Sequence, residues 1–348
     1  MCEFKIDTNE ILNNLKKTKN KLKLGTKVCA VVKADAYGFG VKKVYELIND
    51  KVDYFAVARL SEFLELKSFQ LNKPCLILTP LYGDDLEMSI IQGAEITVTN
   101  IEQIKEIIDV CDKYKTKAKI HLKVDTGMNR FGFNKFNEFK KALKILNETQ
   151  YIVIVGLYSH LYNADNREET QKQRTKFIFY KKLLNKFNCN VLCHLAASKG
   201  LKDKQNHFDM VRIGFDLYNS LKHSLSGKVV EIKAVKKGEI IGYNALFKAK
   251  KDVFIAVCSI GYADGVLRAM RKSYVLINGE KCKILGNICM DSIMVEISKG
   301  KIKIGDNAIV FGESEEKHIS VCDLAKLCDT IPYEIYTSIS KRVKRKYE

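Results

Sequence analysis

The chain has 348 residues, 46% of them hydrophobic, enough for about two cored domains and too apolar for a disordered polymer. Its formal charge is +18, but the lysines are scattered; the one dense run, Lys341–Lys346, sits at a chain end, and a solvated lysine-rich surface is the plainer reading than a nucleic-acid footprint. Eleven cysteines at irregular spacing, with no CxxC pair and no zinc-like Cys/His set, read as free thiols of a reducing compartment and leave no metal site.

In chain order, short β-branched runs alternate with longer amphipathic ones over the first 220 residues. Strand cores are predicted at 26–32, 53–57, 74–78, 95–99, 119–124, 152–158, 191–195 and 210–213. Between the fourth and fifth, Ile101, Ile104, Ile107, Ile108 and Cys111 recur at helical spacing, and Asn100 is a natural N-cap. Eight apolar strands, each followed by a helix, predict a (β/α)8 TIM-like barrel. An open doubly wound sheet is the competing reading, but its glycine-rich first turn is missing. After residue 222, runs at 229–235, 252–260, 273–279 and 292–298 follow without long helices between, and Asn278-Gly279 signals a tight hairpin. This half is expected to be a mainly antiparallel β domain, closed by helical patterns near 321–328 and 332–342. The expected domains are 1–222 and 223–348. The polar N-terminus reads as no signal peptide, and no apolar run is long enough to span a membrane, so a cytoplasmic location is expected.

Barrel chemistry sits at the C-terminal ends of the strands. Lys33 follows the first predicted strand. Lys123 closes the fifth and leads to Asp125 and Arg130. Ser159-His160 end the sixth, His194 and Ser198 mark the seventh, and Arg212 and Gly214 the eighth. Each alone is unremarkable: a lysine at a strand end is usually solvated. Together they place Lys, Arg, His and Ser around one mouth.

At these residues the sequence resembles the bacterial alanine racemase family, over essentially the whole chain. The resemblance rests on VVKADAYGFG (Val31–Gly40), LKVDTGMNRFG (Leu122–Gly132), VRIGFDLYN (Val211–Asn219), IGYNALF (Ile241–Phe247), GYADG (Gly261–Gly265), GNICMD (Gly286–Asp291) and TIPYEI (Thr330–Ile335), in the family's order. It implies a barrel plus a β domain and a pyridoxal 5′-phosphate (PLP) enzyme that interconverts L- and D-alanine, supplying D-alanine for peptidoglycan. By resemblance Lys33 would hold PLP as a Schiff base and act as one base. Tyr243, reaching in from the partner of a homodimer, would be the other. Tyr37, Tyr333, Ser198, Gly214 and Phe215 would hold the phosphate. Arg212 would bond the pyridine nitrogen, with His160 orienting it. Arg130 would face the cofactor's phenolic oxygen and the substrate carboxylate. Met290 would offer its backbone N–H to that carboxylate, Asp291 would support its loop, and Tyr262 would lie near the entrance. Lys123 matches a lysine that family members carry as a carbamate, and an ordinary ammonium pairing with Asp125 stays open beside it.

The chemistry explains these residue types. Removing a proton from Cα needs an electron sink, which PLP supplies. Inversion needs bases on opposite faces. An arginine only donates hydrogen bonds, so it leaves the pyridine nitrogen unprotonated and weakens the sink, which suits a racemase better than a decarboxylase. Phe39 and Ala197 stand where the family usually has His and Asn. Rival readings are a same-family racemase for serine, lysine or many amino acids, a non-catalytic PLP carrier, and a basic nucleic-acid binder. The partners expected are a small amino acid and a second copy of the chain, with neither nucleic acid nor membrane.

Overall fold

The computed structural model describes residues 2–187 and 191–348. Strands in chain order are β1 (Glu3–Ile6), β2 (Lys27–Val31), β3 (Tyr54–Val57), β4 (Cys75–Ile77), β5 (Glu95–Val98), β6 (Ala118–Lys123), β7 (Ile152–Tyr158), β8 (Leu192–His194) and β9 (Met210–Ile213). All eight from β2 to β9 pair in parallel, in the order β8-β7-β6-β5-β4-β3-β2-β9. Between β8 and β9 the ring is drawn together by Asp209 N donating to Cys193 O (3.0 Å) and by a parallel bridge of Ala197 with Arg212. The eight strands thus form a nearly closed barrel, seven of them within the segment expected and β6 starting one residue early, at Ala118. They carry almost unbroken buried residues because both faces are covered.

Helices cover the outside. In Ile101–Tyr114 the residues Ile104, Ile107, Val110 and Cys111 turn inward, and the Asn100 side chain accepts from Gln103 N at 2.8 Å, capping it as expected. The pattern of a helix after every strand fails at β8. There the connection is short, and Ser198–Lys202 and Lys204–Asn206 form single 3₁₀ turns.

The second unit is a nine-stranded sheet. Its strands from the second half are β10 (Ser224–Val235), β13 (Val253–Cys258), β14 (Tyr274–Ile277), β15 (Glu280–Leu285), β16 (Ile293–Ile297), β17 (Asn307–Ser314), β18 (Lys317–Ile319) and β19 (Lys344–Tyr347). The small hairpin of β11 (Ile240–Ile241) and β12 (Phe247–Lys248) stands apart. Asn278 and Gly279 both take positive φ, +46° and +70°, and join β14 to β15 by the tight turn the dipeptide predicts. Strand β1 joins this sheet, antiparallel to β10 and parallel to β19.

Packing therefore divides the chain out of sequence order. The stretch up to Asn13, Tyr37–Gly40 and Tyr218–Glu348 form one unit, and Asn14–Ala36 with Val41–Leu217 form the barrel unit. The expected cut at 222 lies close to Tyr218, but two earlier segments also belong to the sheet unit. Phe39 explains one of them. It is fully buried among Phe4, Tyr218, His223 and Tyr336, with ring centroids 4.9–5.1 Å away. An aromatic at this position fills a core, with no polar duty to perform.

Two further expectations meet the structure here. The ten described cysteines are all free, six of them buried, and Cys189 lies outside the described residues. No described helix is long and apolar enough to cross a membrane. The basic run at the chain end is not a loose cluster of charges. Arg345 donates to the carbonyls of Gly38, Ile339, Ser340 and Val343, and Arg342 pairs with Asp264 and Asp291.

Candidate active site

Past the end of β2 the backbone of Ala34, Asp35, Ala36 and Tyr37 takes four successive left-handed conformations, φ +53°, +54°, +52° and +58°. Non-glycine residues resist this by roughly 1–2 kcal/mol each, so other groups must fix the turn. Glu62 accepts from Ala34 N, Val32 O accepts from Ala36 N (2.9 Å), and Asp35 Oδ1 accepts from Val41 N (2.7 Å). Lys33 starts this turn. Burial, and then the charge of Arg130, lower its pKa, which favours the free amine.

Lys123 closes β6 at 4% exposure. Its Nζ stands 4.7 Å from the centre of the Tyr158 ring, and the Arg212 guanidinium lies 5.2 Å from that same centre. Burial first, then Arg212 and Arg130, bring its pKa down to about 7. The nearby loop of LKVDTGMNRFG is pinned by Asp125, which accepts from Gly127 N (2.7 Å) and Arg130 N (3.1 Å). Phe133 and Asp125 close it through Phe133 N to Lys123 O and Asp125 N to Phe133 O, both 2.9 Å. Gly132 is required there: its φ is +118°, and a Cβ would meet Lys123 O at 2.7 Å.

Arg212 is 3% exposed. It donates to His194 Nδ1 (2.6 Å), His194 O (3.1 Å), Ser159 O (2.7 Å) and Leu195 O (3.1 Å), with His160 Nδ1 at 3.5 Å. His160 is held neutral. Burial, Arg212, Lys123, Arg130 and Lys33 together push its pKa down to about 3. Ser198 Oγ accepts from the backbone N–H of Gly214 (3.3 Å) and Asp216 (3.4 Å). The barrel mouth thus brings together Lys33, Lys123, Arg130, His160 and Arg212, as expected from the strand ends. Basic groups outnumber carboxylates there, so the site suits an anionic ligand.

In the sheet unit, Tyr37 packs against Tyr218 and Tyr333, with centroids 5.2 and 5.9 Å away. GYADG and GNICMD meet through Tyr262 N to Cys289 O and Ala263 N to Met290 O, both 3.0 Å. Gly261 permits this approach, since a Cβ there would lie 2.3 Å from Met290 O. Arg342 bridges Asp264 (2.7 Å) and Asp291 (2.6 Å) below that junction. Tyr262 and Met290 are exposed, and Tyr243 is 68% exposed on a turn whose carbonyl accepts from Asn287 Nδ2 at 3.1 Å. No cluster of three metal-ligating side chains occurs among the described residues.

Family models for the N-terminal and C-terminal domains of alanine racemase match residues 6–221 and 223–347. The chain belongs to the alanine racemase family. Alanine racemase 2 of Caldanaerobacter subterraneus subsp. tengcongensis is 34% identical, the match covering 98% of this chain and 93% of that protein. The alanine racemase of Bacillus anthracis with bound L-Ala-P superposes with a TM-score of 0.94 at 30% identity, covering 100% of this chain and 95% of that one. The alanine racemase of Bartonella henselae with covalently bound pyridoxal phosphate gives 0.90 at 28% identity, covering 100% and 99%.

Several residues that shape this racemase-family site carry no signal in the sequence. Glu62 sits in the first turn of its helix, Glu95 opens a strand and His121 lies inside another, and Asp264 and Arg342 are 78 residues apart. Of these, only Asp264, inside GYADG, could have been singled out from a motif. Ala197 contributes its backbone, which pairs with that of Arg212.

Proposed function

We propose that this chain is a PLP-dependent alanine racemase that works as a homodimer and supplies D-alanine in the cytoplasm for peptidoglycan. The observation that carries the reading is Lys33: an amine whose pKa is lowered by burial and by Arg130, at the mouth of a parallel barrel where the same His160 feels both its charge and that of the buried, donor-only Arg212.

The residues fit the cofactor. An unprotonated lysine can condense with an aldehyde, and Arg130 and Arg212 favour a ligand bearing negative charge. When bound, PLP supplies the electron sink for loss of the Cα proton. Lys33 would hold it and would act as a base on one face of Cα. Tyr243 of the partner chain serves the other face, which agrees with its exposure in the single chain. Ser198, Gly214, Phe215, Tyr37 and Tyr333 take the phosphate. Arg212 donates to the ring nitrogen and His160 steadies Arg212. Arg130 takes the phenolic oxygen and, with Met290 N–H, the substrate carboxylate, while Asp291 steadies the Met290 loop and Tyr262 borders the entrance. Lys123 is a carbamate. Its desolvation favours the neutral amine that reacts with carbon dioxide, and the oxygens of Asp125 are engaged by backbone N–H groups.

The test is to load the purified protein with PLP and follow the optical rotation of L-alanine, L-serine and L-lysine, with Lys33→Ala as control. Fastest decay with alanine, lost in the control, is expected. Faster decay with serine or lysine would change the substrate and keep the mechanism. No decay in protein holding PLP on Lys33 would refute the racemase reading.

A further inference from the structure

Arg212 is a buried cation whose hydrogen-bond acceptors are all neutral. Burying a charge without compensation is costly, and none of these acceptors supplies a counter-charge. A continuous line of hydrogen bonds leads to one. Arg212 Nη1 is 2.6 Å from His194 Nδ1, His194 Nε2 is 3.0 Å from His121 Nδ1, and His121 Nε2 is 2.7 Å from Glu95 Oε2. Both histidines are fully buried, and the Glu95 side chain is 6% exposed. Glu95 opens β5, so it lies at the N-terminal ends of the strands, away from Lys33. It borders a recess of about 360 Å³ with Lys67, Lys73 and Lys119. The line therefore crosses the barrel interior, which branched aliphatic residues ordinarily fill.

Only one proton arrangement satisfies every link. Arginine donates only, so His194 Nδ1 must accept. Burial and Arg212 hold His194 neutral, which puts its single proton on Nε2, pointing at His121 Nδ1. His121 Nδ1 then accepts, and its own proton sits on Nε2 and goes to Glu95. A second proton on either ring would set two donors face to face.

The backbone is shaped for this line. The pairing of β6 with β7 slips by one residue between Ile120 and His121, so that His121 stands opposite Gly156. A Cβ at Gly156 would lie 2.1 Å from His121 Nδ1. A bulge and a glycine together make the seat for one imidazole.

We propose that Glu95, acting through His121 and His194, is a positioning residue for Arg212. It locks both histidine tautomers, aims the guanidinium and supplies its counter-charge from across the barrel. The inference rests on the reading that Arg212 donates to the ring nitrogen of bound PLP. In that reading the relay sets how strongly the ring withdraws electrons, and so how faithfully the proton returns to Cα. A proton misdirected to the cofactor would be read as pyruvate, since hydrolysis of that product would release the keto acid and leave the amino group with the cofactor.

The experiment compares PLP-loaded wild type with Glu95→Gln, Glu95→Leu and, as reference, Arg212→Gln. It reads the ring ¹⁵N shifts of the six histidines, the visible absorption of bound PLP, and pyruvate formed per racemisation. Wild-type His121 and His194 should both be neutral with the proton on Nε2. Glu95→Leu should shift the absorption in the same direction as Arg212→Gln and raise pyruvate per turnover about tenfold, with KM for alanine within about twofold. Glu95→Gln should do the same more weakly, because its amide oxygen still accepts from His121 while its NH₂ tolerates the other tautomer. If the leucine variant does not fold, the glutamine variant decides. The proposal is overturned if either wild-type histidine is doubly protonated. It is also overturned if the folded Glu95 variants keep the wild-type absorption and pyruvate ratio while Arg212→Gln changes both. If Arg212→Gln changes neither, the assignment of Arg212 to the ring nitrogen fails and the relay's proposed effect goes with it.

Discussion

Glu62 accepts the backbone N–H of Ala34, the residue after Lys33, at 2.7 Å. Its other oxygen accepts from Ala58 (2.7 Å) and Arg59 (3.2 Å), so one carboxylate on the helix after β3 secures both its own helix start and the left-handed turn. Glu62→Ala would release that turn and leave its strained residues without their outside anchor. The protein should still fold, since the barrel strands are untouched, but its dissociation constant for PLP should rise about tenfold, as one charge-assisted hydrogen bond is lost. Fluorescence titration of apoprotein with PLP reads this. An unchanged constant would show that the turn holds itself.

Arg342 makes a comparable tie in the sheet unit, where its guanidinium joins Asp264 to Asp291. Asp264 is 2% exposed and also accepts from Gly261 N at 2.9 Å. Arg342→Ala should loosen the Tyr262–Met290 junction. The expected result is a rise in KM for alanine of about tenfold with a smaller change in kcat, because the residues of that loop are assigned to the carboxylate. A variant with unchanged KM would separate this tie from substrate binding.

These ties show where the sequence stops being readable. The barrel was legible because parallel strands buried on both faces must be apolar runs, and β2 to β9 all fall where those runs do. Motif residues such as Lys33 and Arg212 were legible because chemistry gathers at strand ends. Glu62 and Arg342 were not, since a charged residue on a helix or near a chain end looks like solvated surface until its partner is known. Glu95 and His121 were hidden for the opposite reason: they belong to strands whose neighbours are apolar, and only strand pairing brings Glu95 to His121 and His121 to His194. The four left-handed residues after Lys33 were hidden as well, because Ala-Asp-Ala-Tyr carries none of the glycine that usually marks such backbone.

His160 makes stability depend on pH. Its pKa is near 3 in the folded chain against an ordinary 6.5, so between these values the unfolded chain binds the extra proton. Stability from this group is therefore complete above about pH 6.5 and is lost as pH falls toward 3. At roughly 1.4 kcal/mol per pKa unit the contribution reaches several kcal/mol. Urea unfolding of apoprotein at pH 7, 6 and 5 should show a steady loss, and His160→Gln should flatten that slope. An equal slope in the variant would assign the loss elsewhere, with His223, lowered to about 4, the first alternative.

Lys123 carries a second pH dependence of the same sense. With its pKa near 7 the amine is mostly neutral at pH 8 and mostly protonated at pH 6, and only the neutral form takes up carbon dioxide. Protein equilibrated with ¹³C-bicarbonate at pH 8 should show a carbamate carbon signal that fades as the pH is lowered through 7 and is missing in Lys123→Ala. Activity should fall over the same interval, and removing carbon dioxide at pH 8 should lower it. No carbamate signal at pH 8 would leave Lys123 as an amine over the Tyr158 ring.

The shared site gives the sharpest test of the homodimer. In the proposed homodimer Lys33 and Tyr243 are assigned to opposite faces of Cα, with the tyrosine assigned to the other chain. Lys33→Ala and Tyr243→Phe homodimers should each be nearly inactive, because every site in either lacks a base. In a mixed dimer one site carries both substitutions and the other carries neither, since each site draws its lysine from one chain and its tyrosine from the partner. Mixing the two variants under conditions of demonstrated subunit exchange should therefore restore activity. Random exchange makes half of the dimers mixed, each with one intact site of two, so recovery should approach about a quarter of the wild-type rate, given independent sites. If both residues came from one chain, every site would remain defective and mixing would restore nothing.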